Sequence, residues 1–252
     1  MLFRSKPGRL SPWAVTLRGG DPGRIEAIRD SRAGVEDEGS QLCAGILAHA
    51  QLEGRDTNWL DMCAGPGGKA ALLGALAAQR GATLLANEVS HHRTKLVADS
   101  VKALPSGVVS LRTGDGRDFG EQESGSYDRI LLDAPCSGLG SLRRRPESRW
   151  RKQESDVAEL ASLQRQLLLS ALNALRSGGV VAYVTCSPHV LETSLVVKDA
   201  LRRFKQASLL DAGEVAAQLS LSPISGCHQQ MLQLWPDTDG TDAMFCALIR
   251  RD

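Results

Sequence analysis

The sequence has no closely spaced cysteine pair, no long hydrophobic run and almost no net charge. Its six cysteines include no CxxC pair, which argues against a zinc site or a thioredoxin-like motif. No apolar run approaches the length of a membrane span, and the first ten residues lack the apolar core of a signal peptide. We therefore expect a cytoplasmic protein with free thiols, no membrane contact and no metal.

Length and charge limit the domain organisation and the partners. A chain of 252 residues favours one main domain with a small appendage. Residues 1–35, with several glycines, are interpreted as a lead-in, and residues 36–252 as the main domain. A net charge of +1 gives no global attraction for a polyanion, so nucleic-acid binding must depend on local basic clusters.

Short apolar segments alternate with helical patterns along the middle of the chain. This alternation predicts an α/β fold with a mostly parallel, doubly wound sheet. Two late apolar segments, 231–235 and 243–250, predict a C-terminal antiparallel hairpin at the sheet edge. The other predicted strands are 57–63, 83–87, 107–112, 127–133 and 178–185, and the predicted helices are 68–79, 90–104, about 155–176 and 192–204.

The segment CAGPGGK, residues 63–69 and here called the glycine loop, joins a predicted strand to a predicted helix. Glycines permit close approach of a ligand to the backbone at a helix start. The loop is not a P-loop, because Cys63 replaces a glycine and Ala70 replaces a serine or threonine, and it does not match GxGxxG. Glu88 ends the next strand, where an acid accepts hydrogen bonds from ribose hydroxyls. An adenosine-containing cofactor is favoured over a plain glycine-rich turn with a surface glutamate.

Two further segments, LLDAPCSG at 131–138 and YVTCSPH at 183–189, end apolar runs on a polar turn that contains cysteine. We call residues 135–137 the PCS turn and residues 185–187 the TCS turn. Both should lie at the carboxyl edge of the sheet. A single free cysteine is most often a small buried hydrophobic residue, but two cysteines in matching polar turns favour chemistry. The cysteines at 43, 227 and 246 lack such settings and are assigned to packing.

The segments DMCAGPGGK, GDGRDFG, LLDAPCSGLG, RRRPESRW, YVTCSPH, LQLWP and GTDAMF together resemble the RsmB/Sun (Fmu) family of RNA cytosine-5 methyltransferases, with the greatest similarity to its 16S rRNA branch. The resemblance extends from about residue 8 to the C-terminus. It implies a Rossmann-like class I methyltransferase fold, S-adenosylmethionine as cofactor, and methyl transfer to carbon-5 of a cytosine in RNA, with 16S rRNA as the expected substrate.

The resemblance also implies roles for individual residues. Cys186 would attack carbon-6 of the cytosine, Cys136 would assist product release, and Asp133 would contact the base or the methionine amino group. The bland alternative for Asp115 and Asp133 is a strand-end carboxylate that accepts from turn amides. The implied cofactor-binding residues are Cys63, Ala64, Gly65, Pro66, Gly67, Gly68, Lys69, Glu88, Arg93, Asp115 and Asp133.

A basic segment, RRRPESRWRK at 143–152, follows the PCS turn and is here called the basic loop. Its cations could pair with phosphates without reading sequence. Trp150 could stack on a base or anchor the loop in the core, and a solvated loop without a ligand is a further alternative. The predicted phosphate-binding residues are Arg143, Arg144, Arg145, Arg149, Arg151 and Lys152.

The chain also departs from the family. The N-terminal RNA-binding region of bacterial relatives is almost absent, so residues 1–35 would be its remnant, and a partner could supply the missing part. The chain could be a fragment, a mis-started reading frame or a short natural form. Glu36 stands where relatives commonly have glutamine. The alternative functions are a protein that binds RNA or an assembly partner without turnover, and a methyltransferase acting on tRNA, DNA or a small molecule.

Overall fold

The computed structural model of the protein describes residues 5–17, 19–228 and 230–252. Residues 1–4 and 18 of the predicted lead-in therefore lie outside the described residues. The strands are β1 Ser5–Pro7, β2 Val15–Leu17, β3 Asn58–Asp61, β4 Thr83–Glu88, β5 Val109–Thr113, β6 Tyr127–Asp133, β7 Leu175–Thr185, β8 Ala207–Leu210, β9 Cys227–His228, β10 Met231–Gln233 and β11 Phe245–Arg251. The helices are α1 Glu26–Arg29, α2 Glu38–His49, α3 Gly68–Gln79, α4 His91–Val101, α5 Phe119–Gln122, α6 Ser148–Arg151, α7 Glu154–Ala174, α8 Ser194–Arg203 and α9 Ala212–Leu219.

The main sheet runs in the order β5-β4-β3-β6-β7-β11-β10-β9, and β8 also pairs with β11. The pairs among β3 to β7 are parallel, whereas β11 is antiparallel to β7, β8 and β10. The predicted mostly parallel α/β sheet with a C-terminal antiparallel hairpin is therefore confirmed. β1 and β2 form a separate two-stranded sheet.

Helices cover both faces of the sheet because the central strands are apolar on both sides. Leu131 of β6 packs in one hydrophobic cluster with residues of α2, α3 and α9. Its neighbours Ile130 and Leu132 pack in the opposite cluster with residues of α7 and α8. Such alternation is the two-residue repeat of a strand buried on both faces.

Two long helices begin where the sequence supplies start signals. α7 starts with a capping box, in which Gln153 and Asp156 each bind the other's backbone N–H. α3 begins after Gly67, as predicted, and ends at Gln79. Ser90 is the N-cap residue of α4, but its side chain makes no capping hydrogen bond. Most predicted bounds differ from the observed ones by only a few residues, since the ends of helices and strands are the parts that local sequence signals define least sharply.

Part of the predicted lead-in packs directly on the start of α2. The Glu38 carboxylate, in the first turn of α2, accepts backbone hydrogen bonds from Arg9, Leu10 and Ser11 at 3.2, 2.7 and 3.0 Å. Leu10 is fully buried. Three amide donors on one carboxylate hold this segment against the start of α2.

Across the described parts of the chain, none of the helices combines the length and the apolar character that a bilayer crossing needs.

Candidate active site

The glycine loop and the two cysteine turns meet where the sheet reverses its strand order. β4 and β5 lie on one side of β3, and β6 and β7 lie on the other, so the reversal falls between β3 and β6. Ligands of open parallel sheets bind at the carboxyl ends of the strands beside such a point. The glycine loop follows β3, the PCS turn follows β6 and the TCS turn follows β7.

Crowding by α4 requires glycine within the glycine loop. Gly67 has a φ of +115°, a conformation that residues with a side chain rarely adopt. A Cβ at this position would lie 2.6 Å from the Ser100 Cβ and 3.0 Å from the Val97 Cα. The Ser100 hydroxyl donates to the Pro66 carbonyl at 3.2 Å. The loop is therefore closely packed against α4.

The other members of the glycine loop are held from several sides. Ala64 is buried, and its N–H donates to the Asn87 carbonyl at 2.8 Å. Burial, followed by the charge of Asp61, raises the pKa of the Cys63 thiol. A Cβ at Gly68 would lie 3.1 Å from the Glu36 carboxylate. The predicted cofactor loop is thus formed and surrounded mainly by acidic side chains.

Glu88 and Arg93 join the end of β4 to the glycine loop. The Glu88 carboxylate is buried and accepts from the Gly65 and Ser90 amides at 3.1 and 3.0 Å. Arg93 lies 3.4 Å from Glu88 and donates to the Gly65 carbonyl at 2.5 Å. A Cβ at Gly65 would collide with the Glu88 carboxylate. The carboxylate proposed to bind ribose therefore has a fixed orientation.

Asp115 follows β5 at the same edge of the sheet. Its carboxylate accepts from the Arg117 amide at 2.9 Å and pairs with the Arg117 guanidinium at 2.6 Å. Hydrogen bonding from the Arg117 side chain lowers the pKa of Asp115. These are the contacts expected of a strand-end carboxylate that accepts from turn amides. Asp115 therefore orders its own turn. Gly114, the preceding residue, donates to the Glu88 carbonyl at 3.2 Å and brings the two predicted residues into one region.

Lys69 and Asp133 connect the glycine loop to the PCS turn. The Lys69 Nζ lies 2.8 Å from the Asp133 Oδ2, and the Lys69 side chain is 11% exposed. Burial lowers the pKa of Lys69, but the carboxylates of Asp133 and Glu36 outweigh it and raise the pKa. Burial also raises the pKa of Glu36, which accepts from the Ser40 hydroxyl at 2.6 Å. One cation is thus shared by two carboxylates.

The thiols of Cys136 and Cys186 lie side by side, with their Sγ atoms 3.3 Å apart. Both are largely buried yet retain some exposure. A hydrogen bond from Cys136 lowers the pKa of Cys186, and Lys69 lowers it further, against the opposing effects of burial and Asp133. The same contact raises the pKa of Cys136, as does burial. This asymmetry favours Cys186 as the thiolate and Cys136 as the protonated thiol.

Asp61, the last residue of β3, is buried without a partner. It is 1% exposed, and neither carboxylate oxygen has a hydrogen bond within the described part of the chain. Burial, and then the charge of Asp133, raises the pKa of Asp61 to about 8. The nearby Cys63 amide lowers this pKa without forming a hydrogen bond to the carboxylate. A buried carboxylate without a partner beside a ligand loop suggests that the partner is the ligand.

Asp61→Asn is expected to make stability less dependent on pH. Because the folded-state pKa of Asp61 lies above its unfolded value, its contribution to stability is full below about pH 4 and is lost as the pH rises through about 8. The amide has no charge to bury, so the ligand-free variant should gain a few kcal/mol over the parent across that window and hold the difference above it. Urea unfolding at pH 5, 7 and 8.5 measures the effect.

Asp99→Asn, which changes an exposed residue of α4, is the matched control and should follow the parent at each pH. A constant loss of stability in Asp61→Asn at every pH would instead show that the carboxylate makes stabilising hydrogen bonds in solution.

Two arginines of the basic loop pair with buried carboxylates. Arg143 pairs with Asp37 at 2.7 Å. The Arg144 Nε donates to both carboxylate oxygens of Asp242, at 3.1 and 2.9 Å. Both carboxylates are buried, so these two arginines neutralise interior charges and anchor the loop. Because a buried carboxylate without its cation costs several kcal/mol, these two ion pairs should persist, and phosphate binding by the exposed remainder of each guanidinium stays a prediction.

The remaining part of the basic loop, residues 145–152 and here called the outer half, is available to bind RNA. Trp150 is 84% exposed, so it does not anchor the loop in the core. No ion pair involves the other four cations of the loop within residues 5–17, 19–228 and 230–252. These four are Arg145, Arg149, Arg151 and Lys152.

Three acidic residues of this region were not predicted as site residues. Asp61 ends an apolar strand, where a carboxylate is unexpected, and this was a usable signal. Glu36 was noted only as a departure from the family. Glu192 lies beyond the TCS turn and gave no signal, because its contacts with Ser137 and Gln164 come from distant parts of the chain. Among the three cysteines assigned to packing, Cys43 and Cys246 are buried. Cys227 is exposed, so the assignment is wrong for Cys227.

Among the described residues, no group of three His, Cys, Asp or Glu side chains is arranged to hold a metal ion.

The chain is similar to known methyltransferases. A family model described as 16S rRNA methyltransferase RsmB/F matches residues 49–250. A Mycobacterium tuberculosis (strain H37Rv) protein named as a candidate methyltransferase is 51% identical over 248 residues, 98% of this chain and 52% of the relative. Ribosomal RNA small subunit methyltransferase B of Escherichia coli (strain 536) is 39% identical over 209 residues, 80% of this chain and 46% of the relative. The chain spans about half the length of the curated relatives it matches.

Solved structures share the fold. The crystal structure of PH0851 has a TM-score of 0.86 and 26% identity, covering 99% of this chain and 54% of that one. NSun6 from Pyrococcus horikoshii has a TM-score of 0.76 and 24% identity, covering 94% and 59%. The predicted Rossmann-like methyltransferase fold is therefore confirmed. The match to a methyltransferase family makes S-adenosylmethionine the cofactor of this domain. The unpartnered Asp61 and the crowded glycine loop fit a cationic ligand at this edge of the sheet. The family match over most of the chain establishes that it belongs to the RsmB/F family of 16S rRNA methyltransferases.

Proposed function

We propose that this chain methylates carbon-5 of a cytosine in RNA, with 16S rRNA as the substrate, through a covalent adduct between cysteine and cytosine. The observation that carries this proposal is the 3.3 Å separation of the Cys136 and Cys186 thiols beside the Lys69–Asp133 pair. Two thiols at one point can act on a single base. The domain's membership of a methyltransferase family supplies the reaction class.

The residues that would hold S-adenosylmethionine lie along one edge of the sheet. Glu88, oriented by Arg93, would bind the ribose hydroxyls. Asp115 would lie at the adenine end, and Asp133 and the buried Asp61 would face the positive charge of the methionine portion. When bound, the cofactor supplies an electrophilic methyl group on a sulfonium centre. The residues that would form the wall of this site are those of the glycine loop: Cys63, Ala64, Gly65, Pro66, Gly67, Gly68 and Lys69.

The two cysteines would divide the chemistry. Carbon-5 of cytosine is a poor nucleophile, so the Cys186 thiolate adds to carbon-6 and pushes electrons into the ring. Asp133 stabilises the activated ring by a hydrogen bond to a ring nitrogen or the exocyclic amine. After methylation, the carbon-5 proton must leave and the bond between sulfur and carbon-6 must break. Cys136, whose Sγ lies 3.3 Å from that of Cys186, would assist this release.

RNA would reach the site past the outer half of the basic loop. A cytosine must leave its stack before a thiol can approach carbon-6. Trp150, which is 84% exposed, can stack on a neighbouring base. The four cations of the outer half of the loop can bind phosphates. The name of the Escherichia coli relative refers to small-subunit ribosomal RNA, which supports 16S rRNA as substrate. A cytoplasmic location fits this substrate.

Transfer of a labelled methyl group tests the function. We expect incorporation into unmodified 16S rRNA, at cytosines that become resistant to bisulfite, and none into DNA. Incorporation only into tRNA would keep the chemistry and replace the substrate. If RNA binds but no label is incorporated, even when the N-terminal half of a relative is supplied in trans, the chain is a binding protein and the proposal fails.

A further inference from the structure

Glu192 is a buried carboxylate whose acceptor positions are all filled. It ends a short 3-10 turn after the TCS turn and is 0% exposed. One oxygen accepts from the Ser137 amide at 2.7 Å and from the Gln164 side chain at 3.2 Å. The other accepts from the Ser137 and Ser187 hydroxyls at 2.5 and 2.6 Å. An ionised carboxylate has about four acceptor sites, so this one is saturated.

The two serines bound by Glu192 directly follow the two cysteines of the site. Ser137 follows Cys136 in the PCS turn, and Ser187 follows Cys186 in the TCS turn. The turns follow different strands, β6 and β7. A single carboxylate therefore fastens both turns to each other, and the two serine oxygens lie 3.4 Å apart.

The surrounding contacts tighten the same connection. Gln164, fully buried on α7, donates to the Pro135 carbonyl at 2.8 Å as well as to Glu192. The Gly140 amide donates to the Cys186 carbonyl at 2.9 Å. The position of each sulfur therefore depends on the backbone of its turn. That backbone is connected to the Glu192 carboxylate through Ser137, Ser187 and Gln164.

Glu192 differs from three other buried carboxylates of the region. Asp37, Asp242 and Glu88 each pair with an arginine, whereas Glu192 forms no ion pair within the described part of the chain. A buried charge without a counter-ion is costly unless its hydrogen bonds compensate. Its contacts concentrate on the two cysteine turns, so its contribution falls on the geometry of those turns.

We propose that Glu192 is a positioning residue that sets the separation of the Cys136 and Cys186 thiols by binding the serine that follows each of them. This inference rests on the proposed function, in which both thiols act on one base. Glu192 itself touches neither sulfur. It would act through the two serines.

Disulfide formation by diamide measures the separation of the thiols without cofactor or RNA. Diamide oxidises two adjacent thiols to a disulfide and is itself reduced to the hydrazine, and the reaction requires the two sulfurs to come within bonding geometry. Glu192→Gln keeps the shape but turns an N–H₂ group towards donors, so we expect disulfide formation between positions 136 and 186 to be about tenfold slower. Mass spectrometry of the cross-linked peptides gives the rate.

Alkylation by iodoacetamide across pH provides a second readout that a loss of stability alone would not move. The hydrogen bond from Cys136 lowers the pKa of Cys186, so loss of that contact should shift the alkylation profile of Cys186 to higher pH. The matched control is Glu159→Gln, an exposed glutamate on α7, which should leave both readouts unchanged. Ser137→Ala and Ser187→Ala each remove one arm of the connection and should reproduce part of the effect if Glu192→Gln does not fold.

Folded Glu192→Gln with parental rates of disulfide formation and a parental alkylation profile would overturn the proposal, as would parental behaviour of both serine variants. Transfer assays separate this result from the function. If the parent methylates RNA, kcat of Glu192→Gln should fall by about 10- to 100-fold, as for a displacement of about 1 Å, with cofactor affinity unchanged. If the parent methylates nothing but the thiol readouts depend on Glu192, the positioning role stands and the proposed function fails.

Discussion

Cys186→Ala is expected to eliminate both methyl transfer and the covalent RNA adduct. Without a thiolate to add at carbon-6, carbon-5 of the cytosine stays unreactive, and loss of a nucleophile of this kind lowers kcat by at least about 10⁴-fold. Alanine fits the space, because Cys186 is a small and largely buried side chain. Binding of S-adenosylmethionine should persist, since the glycine loop and Glu88 are unchanged. Transfer of labelled methyl groups and calorimetry on the same preparation measure the two properties.

Cys136→Ala should give the opposite signature. The nucleophile remains, so the adduct forms, but product release is impaired, and a band of protein joined to RNA should accumulate and survive denaturant. Loss of the hydrogen bond from Cys136 also removes the main effect that lowers the pKa of Cys186. Adduct formation should therefore need a higher pH than in the parent.

An exposed cysteine provides the control for both variants. Cys227→Ala changes a thiol outside the site and should transfer methyl groups at the parental rate. An adduct that accumulates in Cys186→Ala and is absent from Cys136→Ala would reassign the nucleophile to the PCS turn.

The sequence predicted the centre of the fold better than its periphery. Helix α3 and strand β6 were predicted with their observed bounds, because each has a strong apolar pattern and a glycine or aspartate at its end. No helix or strand is predicted between residues 204 and 231, yet this region contains β8 and α9. These elements are short, and β8 is stabilised by pairing with β11, some forty residues later in the chain. Local patterns cannot carry that information.

Within the site, the sequence predicted residues that have a local motif and missed those defined by distant contacts. The cysteine turns stand out because a thiol between polar residues follows an apolar strand. Arg143 and Arg144 looked like phosphate ligands because a run of arginines is visible, whereas their partners Asp37 and Asp242 lie about 100 residues away. Glu192 was missed for the same reason, since Ser137 is 55 residues away.

Lys69 alone does not neutralise the carboxylates of the site. Lys69 pairs with Asp133, Glu36 also raises the pKa of Lys69, and Asp133 raises the pKa of Glu36 and of Asp61. The excess of negative charge is unfavourable in a buried region without a ligand. A cofactor with a sulfonium centre and an ammonium group would supply positive charge beside these carboxylates, which is a physical reason for such a cofactor to bind here.

Gly67→Ala is expected to abolish the binding of S-adenosylmethionine while leaving the protein folded. The new Cβ would lie 2.6 Å from the Ser100 Cβ and 3.0 Å from the Val97 Cα. Backbone cannot rotate away as a flexible side chain can, so the glycine loop must shift away from α4. A shift of this kind moves the amides at the start of α3 and disturbs Gly65 where Glu88 holds it. We expect affinity to fall by at least about 100-fold, since roughly 1.4 kcal/mol is lost for each factor of ten.

Gly81→Ala separates this collision from the cost of backbone strain. Gly81 follows the other end of α3 with a φ of +68°, and a Cβ there would meet nothing within 4 Å. Both variants place alanine at a positive φ, which costs on the order of 1–2 kcal/mol of stability. Only Gly67→Ala also displaces the glycine loop, so calorimetric titration with S-adenosylmethionine should show near-parental affinity for Gly81→Ala and none for Gly67→Ala. Equal affinity in the two variants would mean that the ligand does not depend on the packing of this loop, and the cofactor would then have to lie elsewhere along the sheet edge.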